Sequence, residues 1–170
     1  KKIDGFLDIY SNDDDSVFFL KLDKEDLNEK FIYFSYVMNA PQGSTLTGGL
    51  PSDGKVYEFR SFKKDKIGLY QINTSYIKGD ETNNIARSSI TNITEAFVEV
   101  FKPTARTEDS VLINLNSIIL SEKMDSISYV PSEYREYISV DYGMPDEAKT
   151  FVKNIYNNKT NTDFEVTFSF

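Results

Sequence analysis

The chain has 170 residues, 39% of them hydrophobic, with 13 Phe and 11 Tyr carrying much of that fraction. That length suits one domain with a real core, and an aromatic-rich, Ala-poor composition favours pleated sheets over helices. The formal charge of −8 argues against a phosphate-backbone partner and an anionic membrane surface. With neither Cys nor His, the chain forms no disulfide and no thiolate or imidazole metal site, and has no imidazole base or thiol nucleophile.

The chain opens as a meander. Gly5 to Tyr10 predicts a strand, Asn12-Asp13-Asp14-Asp15 a turn, and Ser16 to Leu22 the returning strand of a hairpin. Asp23 is placed to cap one short turn over Lys24 to Asn28. Phe31 to Met38 is a dense apolar run with the composition of a central strand buried on both faces. A long breaker segment follows, Asn39 to Gly54, containing Pro41, Gly43, Gly48, Gly49, Pro51 and Gly54. Loops of that length inside a domain often carry contacts.

Lys55 to Phe62 alternates Val56, Glu58 and Arg60 against Tyr57, Phe59 and Ser61, and returns through Ile67 to Ile72 after Lys63-Lys64-Asp65-Lys66. This is the clearest hairpin in the sequence. Lys78 to Asn92 is polar and aperiodic, a loop. Thr94 to Thr104 and Ser110 to Leu115 predict strands, and Asn116 stands as the N-cap of a short helix from Ser117 to Leu120. Ser132 to Tyr137 reads as a helical turn or the start of a strand through Val140. Ala148, Phe151, Val152, Ile155 and Tyr156 fall at helical spacing after Pro145, which predicts the best helix over 145–156. Asp163 to Phe170 closes with Phe164, Val166, Phe168 and Phe170 at a period of two. The expected fold is mainly β, bordering on α+β: a sandwich-like antiparallel meander with two or three short helices, in one domain over 1–170.

No constellation makes an active site. Asp13-Asp14-Asp15 lacks the Gly and distal Glu of an EF-hand loop and reads as a hairpin tip. Glu95 and Glu99, four apart, share a face on an ideal strand, but nothing in sequence separates an acid from a base. Asn73-Thr74-Ser75, Asn92-Ile93-Thr94 and Asn158-Lys159-Thr160 match the glycosylation pattern at near-chance frequency for an Asn-rich chain. Tyr33, Tyr36, Tyr57, Tyr70 and Tyr76 surround the long loop and pose a choice between core packing and a stacking surface for sugar or peptide.

Four stretches carry a family resemblance: Lys2 to Tyr10, Val17 to Phe34, Lys55 to Asn73, and Phe151 to Asn158 followed by Phe164 to Phe170. In that order they resemble the N-terminal domain of unknown function found in bacterial zinc-dependent, metzincin-like metalloproteases. The likeness lies in pattern rather than in a fixed motif. Where the family's glycine loop continues into an Asp-Arg-Gly-like turn, Gly48-Gly49-Leu50-Pro51-Ser52-Asp53-Gly54 stands here without the Arg. The resemblance implies a non-catalytic accessory domain of a secreted, periplasmic or outer-envelope bacterial protease. Its partner would be the downstream catalytic domain of the same chain, where zinc would reside on an HExxH helix.

The chain ends on an alternating apolar run and is expected to be a segment of a longer protein. No catalytic, cofactor or metal-ligating residue is assigned within it. No nucleic-acid partner is expected, and no apolar run reaches the about 18 residues of a membrane span. The expected contact residues sit in and beside the breaker loop: Gly43, Leu46, Gly48, Gly49, Asp53 and Asn73. A free-standing glycan- or peptide-binding β module is the alternative, and it requires a contiguous exposed aromatic patch on one sheet face.

Overall fold

A computed structural model describes residues 1–40, 49, 51–74, 95–124 and 145–170. The described residues form three antiparallel sheets. The five-stranded sheet has the order β1 (Lys2–Ile3), β2 (Ile9–Ser11), β3 (Phe18–Asp23), β9 (Ser110–Asn114), β8 (Ala105–Arg106). The four-stranded sheet runs β4 (Lys30–Tyr33), β5 (Lys55–Phe62), β6 (Lys66–Ile72), β7 (Ala96–Phe101). The third sheet is a hairpin of β10 (Phe151–Asn157) and β11 (Thr162–Thr167).

The inner faces of the two larger sheets share one core. Ile9, Phe18, Leu20, Leu22, Val111 and Ile113 come from the five-stranded sheet, and Tyr57, Phe59, Ile67, Leu69 and Phe101 from the four-stranded one. This is the mainly β, sandwich-like fold that the alternating sequence pattern implies. The β2–β3 and β5–β6 hairpins form at the expected places, with Tyr10 opposite Phe19 and Phe59 opposite Leu69. The Asp-rich tip is a turn held by its own side chains. Asn12 Oδ1 accepts from the Ser16 and Val17 amides, while Asp14 and Asp15 accept from the hydroxyls of Ser16 and Ser11. Lys24–Asp26 forms a single 3-10 turn. Asp23 is its N-cap as expected, in a reciprocal box: the Asp23 side chain faces the Asp26 backbone, and the Asp26 carboxylate accepts from the Asp23 N–H at 2.7 Å.

Three expectations are corrected. The segment 145–156 is not a helix: a turn at Glu147–Lys149 leads into β10. The helical spacing has another cause. The β10–β11 register slips between Val152 and Asn154, so Lys153 is an extra residue in the ladder. A bulge of that kind puts Val152 and Ile155, three apart, on one face against the core. Phe151 and Tyr156, which a helix would bury beside them, are exposed. Strand propensity agrees, because β-branched and aromatic residues dominate the stretch.

The second correction concerns Phe31 to Met38, which is not central. β4 lies at the edge of its sheet, and burial alternates residue by residue from Phe31 to Met38. The third concerns Asn116, which lies within the short helix α1 (Asn116–Ile119) and does not cap it. Its amide ties α1 to β3 instead, accepting from the Phe18 N–H at 2.9 Å and donating to the Ser16 carbonyl at 2.8 Å. The stretches 78–92 and 132–140 lie outside the described residues.

The β10–β11 hairpin is fastened to the start of the chain through Asn157. Its Nδ2 donates to the Ile3 and Leu7 carbonyls at 2.8 and 2.7 Å, and its Oδ1 accepts from the Leu7 N–H and the Thr162 hydroxyl. Gly5 runs so close to it that an added Cβ would lie 2.3 Å from the Asn157 side chain. Asn157→Ala strands those backbone groups and is expected to cost about 2 kcal/mol. Urea denaturation measures it; an unchanged midpoint would show that the hairpin is held by its apolar contacts alone.

Candidate functional site: the outer face of the four-stranded sheet

Pinning Tyr57, Phe59, Ile67 and Leu69 into the core leaves the alternate residues of the same strands on the other face. Register places them side by side: Lys30 opposite Glu58, Ile32 opposite Val56, Glu58 opposite Tyr70, and Arg60 opposite Gly68. Tyr70 in turn pairs with Phe97 of β7. This outer face has two parts.

The first is a packed cluster over β5–β7. Glu58 is only 4% exposed although it lies on the outward side. Arg60 resolves the cost of burying it. Its guanidinium bonds both Glu58 and Glu95, and lies 4.7 Å from the Tyr70 ring centre. Flanked by two carboxylates, first Glu95 and then Glu58, Arg60 is raised further above its ordinary pKa. Phe97 packs on Phe62 and Tyr70 at 5.0 and 4.8 Å between ring centres. These rings settle over Gly68, where an added Cβ would sit 2.8 Å from Tyr70 and 2.9 Å from Phe97. Phe97 remains 45% exposed.

The second part is the arm that continues β4. Ile32, Phe34, Tyr36 and Met38 are 74, 55, 53 and 57% exposed. The residues between them alternate inward, Phe31 stacking on Tyr57 at the core edge and Tyr33 meeting the same ring edge-on. The far side of the breaker segment pairs with this arm. Tyr36 bridges Pro51, the Ser52 N–H donates to the Ser35 carbonyl at 2.6 Å, and the Gly49 N–H donates to Val37 at 2.8 Å. Gly49, Pro51 and Ser52 therefore form a return limb that runs antiparallel along this arm.

Of the expected contact residues, Gly49 is exposed in this return limb with φ +83°. Asp53 is exposed just before β5. Asn73 lines an open cleft of about 310 Å³ where β5 begins and β6 ends, together with Gly54, Lys55, Gln71 and Thr74. Gly43, Leu46 and Gly48 lie outside the described residues, as does Tyr76. The remaining tyrosines divide: Tyr57 is in the core, Tyr33 packs at its edge, and Tyr36 and Tyr70 belong to the outer face.

Glu95 and Glu99 do not form a pair. The β6–β7 register slips between Leu69 and Tyr70, leaving Val98 as the extra residue between them. Glu95 bonds Arg60, whereas Glu99 takes the Lys123 ammonium. Among the described residues, no group of three or more His, Cys, Asp or Glu could hold a metal ion, and no helix is long and apolar enough to cross a membrane.

Sequence reasoning missed Glu58, Arg60, Phe62, Gly68 and Phe97. The signal was present in the alternation of β5, where Glu58 and Arg60 share the face opposite Tyr57 and Phe59. No family model, curated protein or solved structure matches the chain.

Arg60→Met leaves the Glu58 carboxylate buried without its partner and is expected to cost about 3 kcal/mol in denaturant unfolding. Adding Glu58→Gln to the same chain should recover part of that loss. A single variant as stable as the parent would mean that burial of Glu58 does not depend on Arg60. Gly68→Ala, which crowds the two rings, is expected to cost about 1–2 kcal/mol; a neutral effect in the same assay would contradict the close packing.

Proposed function

We propose that this chain is a non-catalytic accessory domain that docks on a larger protein through the outer face of its four-stranded sheet. The single observation that carries the reading is the row Ile32, Phe34, Tyr36 and Met38, four large apolar side chains presented together on one limb. Scattered exposed hydrophobic residues are ordinary, but a contiguous row marks a surface made for contact. The resemblance in the sequence suggests what is docked: the catalytic domain of a secreted or envelope zinc metalloprotease, downstream in the same chain. Zinc would be held there, since this chain has no His or Cys to hold it.

Two tests separate the parts of this reading. The parent gene should encode an HExxH helix after this segment; a parent without it removes the protease. Separately, the domain and the downstream region are co-expressed as two chains and their binding is measured by calorimetry. Tyr36→Asp with Met38→Asp should weaken binding at least tenfold while leaving the thermal midpoint within a few degrees. Binding that is indifferent to these substitutions overturns the face.

A second reading, a glycan- or peptide-binding module, is favoured by the half-exposed Phe97 ring beside Tyr70 and the Arg60 guanidinium. Aromatic faces stack on sugar rings, and a nearby charged group orients them. Titration with cell-wall oligosaccharides should then perturb the aromatic NMR signals of Phe97 and Tyr70. Unmoved signals at millimolar ligand would exclude it.

A further inference from the structure

We infer that the edge of β4 that no described strand covers pairs with the same edge of a second copy, antiparallel about a two-fold axis at Phe34. The backbone decides which groups are available. The carbonyls of Ser35 and Val37 turn inward, accepting from Ser52 and Gly49. Alternation along an extended strand then turns the N–H and C=O groups of Ile32, Phe34 and Tyr36 to the open side. β4 is the terminal strand of its sheet, with no described strand beyond it.

Edges of this kind are normally blunted by charge, proline or a bulge. Between Lys30 and Met38 there is no proline, and Lys30 is the only charge. The occupant follows from the sequence of the edge itself. An incoming strand meets Phe31 and Tyr33 on the inner side and Ile32, Phe34 and Tyr36 on the outer side, so it must be apolar on both faces. The same segment of another copy meets that requirement.

With Phe34 on the axis, Phe34 faces itself, Ile32 faces Tyr36, Phe31 faces Val37, Tyr33 faces Ser35, and Lys30 faces Met38. No like charges meet, and the rows between Phe31 and Val37 are aromatic, aliphatic or small polar pairings of the kind that stabilise a sheet. A two-fold axis perpendicular to the sheet keeps both outer faces on the same side. The dimer thus joins two four-stranded sheets into one and doubles the docking platform proposed above without covering it. Strand-to-strand contact of this size falls at the small end of specific interfaces, which sets an expected affinity in the micromolar range.

Sedimentation of the isolated 170-residue chain from about 1 to 100 µM tests this. The expected result is a reversible monomer–dimer equilibrium. Phe34→Lys, which sets two ammonium groups against each other on the axis, should weaken dimerisation at least tenfold with circular dichroism unchanged. Phe151→Lys, at an exposed site on the separate hairpin, should leave dimerisation as it is. Mixing Phe34→Lys with Phe34→Glu should restore a heterodimer, because only this register brings the two positions together. A chain that stays monomeric, a Phe34→Lys variant that dimerises like the parent, or a mixture that fails to pair each overturns the inference. None of these outcomes bears on docking to a catalytic domain, which is measured with the two-chain assay.

Discussion

Burial of one face of the β4–β7 sheet against the β1–β3, β9 and β8 sheet is the constraint from which the rest follows. Tyr57, Leu69 and Ile67 are almost wholly enclosed, so β5 and β6 cannot slip by one residue without turning core side chains into water. That fixes Glu58, Arg60, Gly68 and Tyr70 on the opposite side. It also fixes the phase of β4, whose Phe31 and Tyr33 both pack on Tyr57, one stacked and one edge-on. Once those two rings point inward, Ile32, Phe34, Tyr36 and Met38 have only the outside left to them.

The outer face solves its two ends differently. Over β5–β7 the chain supplies its own cover: Arg60 neutralises Glu58, aromatic rings pack over Gly68, and Phe97 closes the cluster. Along the β4 arm no such self-cover exists among the described residues. Under the proposed docking, the open end is the contact surface, beside the return limb that carries Gly49 and Asp53.

Much of this was legible in the sequence, and the failures share a cause. Strict period-two runs such as Lys55 to Ile72 announced their strands because alternation there is unbroken. β10 and β7 were misjudged in detail because each carries one extra residue, at Lys153 and Val98, and a single bulge changes which spacings share a face. In β10 it turned a strand into an imitation of a helix. In β7 it separated two glutamates that an ideal strand would have joined. The edge position of β4 was hidden for a different reason: composition reports that a segment is apolar, but strand order, a long-range property, decides whether its second face is covered. The buried Glu58 was invisible because its burial depends on Arg60 and Glu95, partners two and 37 residues away.

The account turns on whether the Ile32–Met38 row is open in this chain by itself and covered in the longer protein proposed to contain it. Hydroxyl-radical footprinting, read residue by residue on the isolated domain and on the full-length parent, addresses that directly. Phe34, Tyr36 and Met38 should be modified readily in the domain and protected severalfold in the parent, with Tyr57 shielded in both. Equal modification of the row in the two proteins would contradict the account.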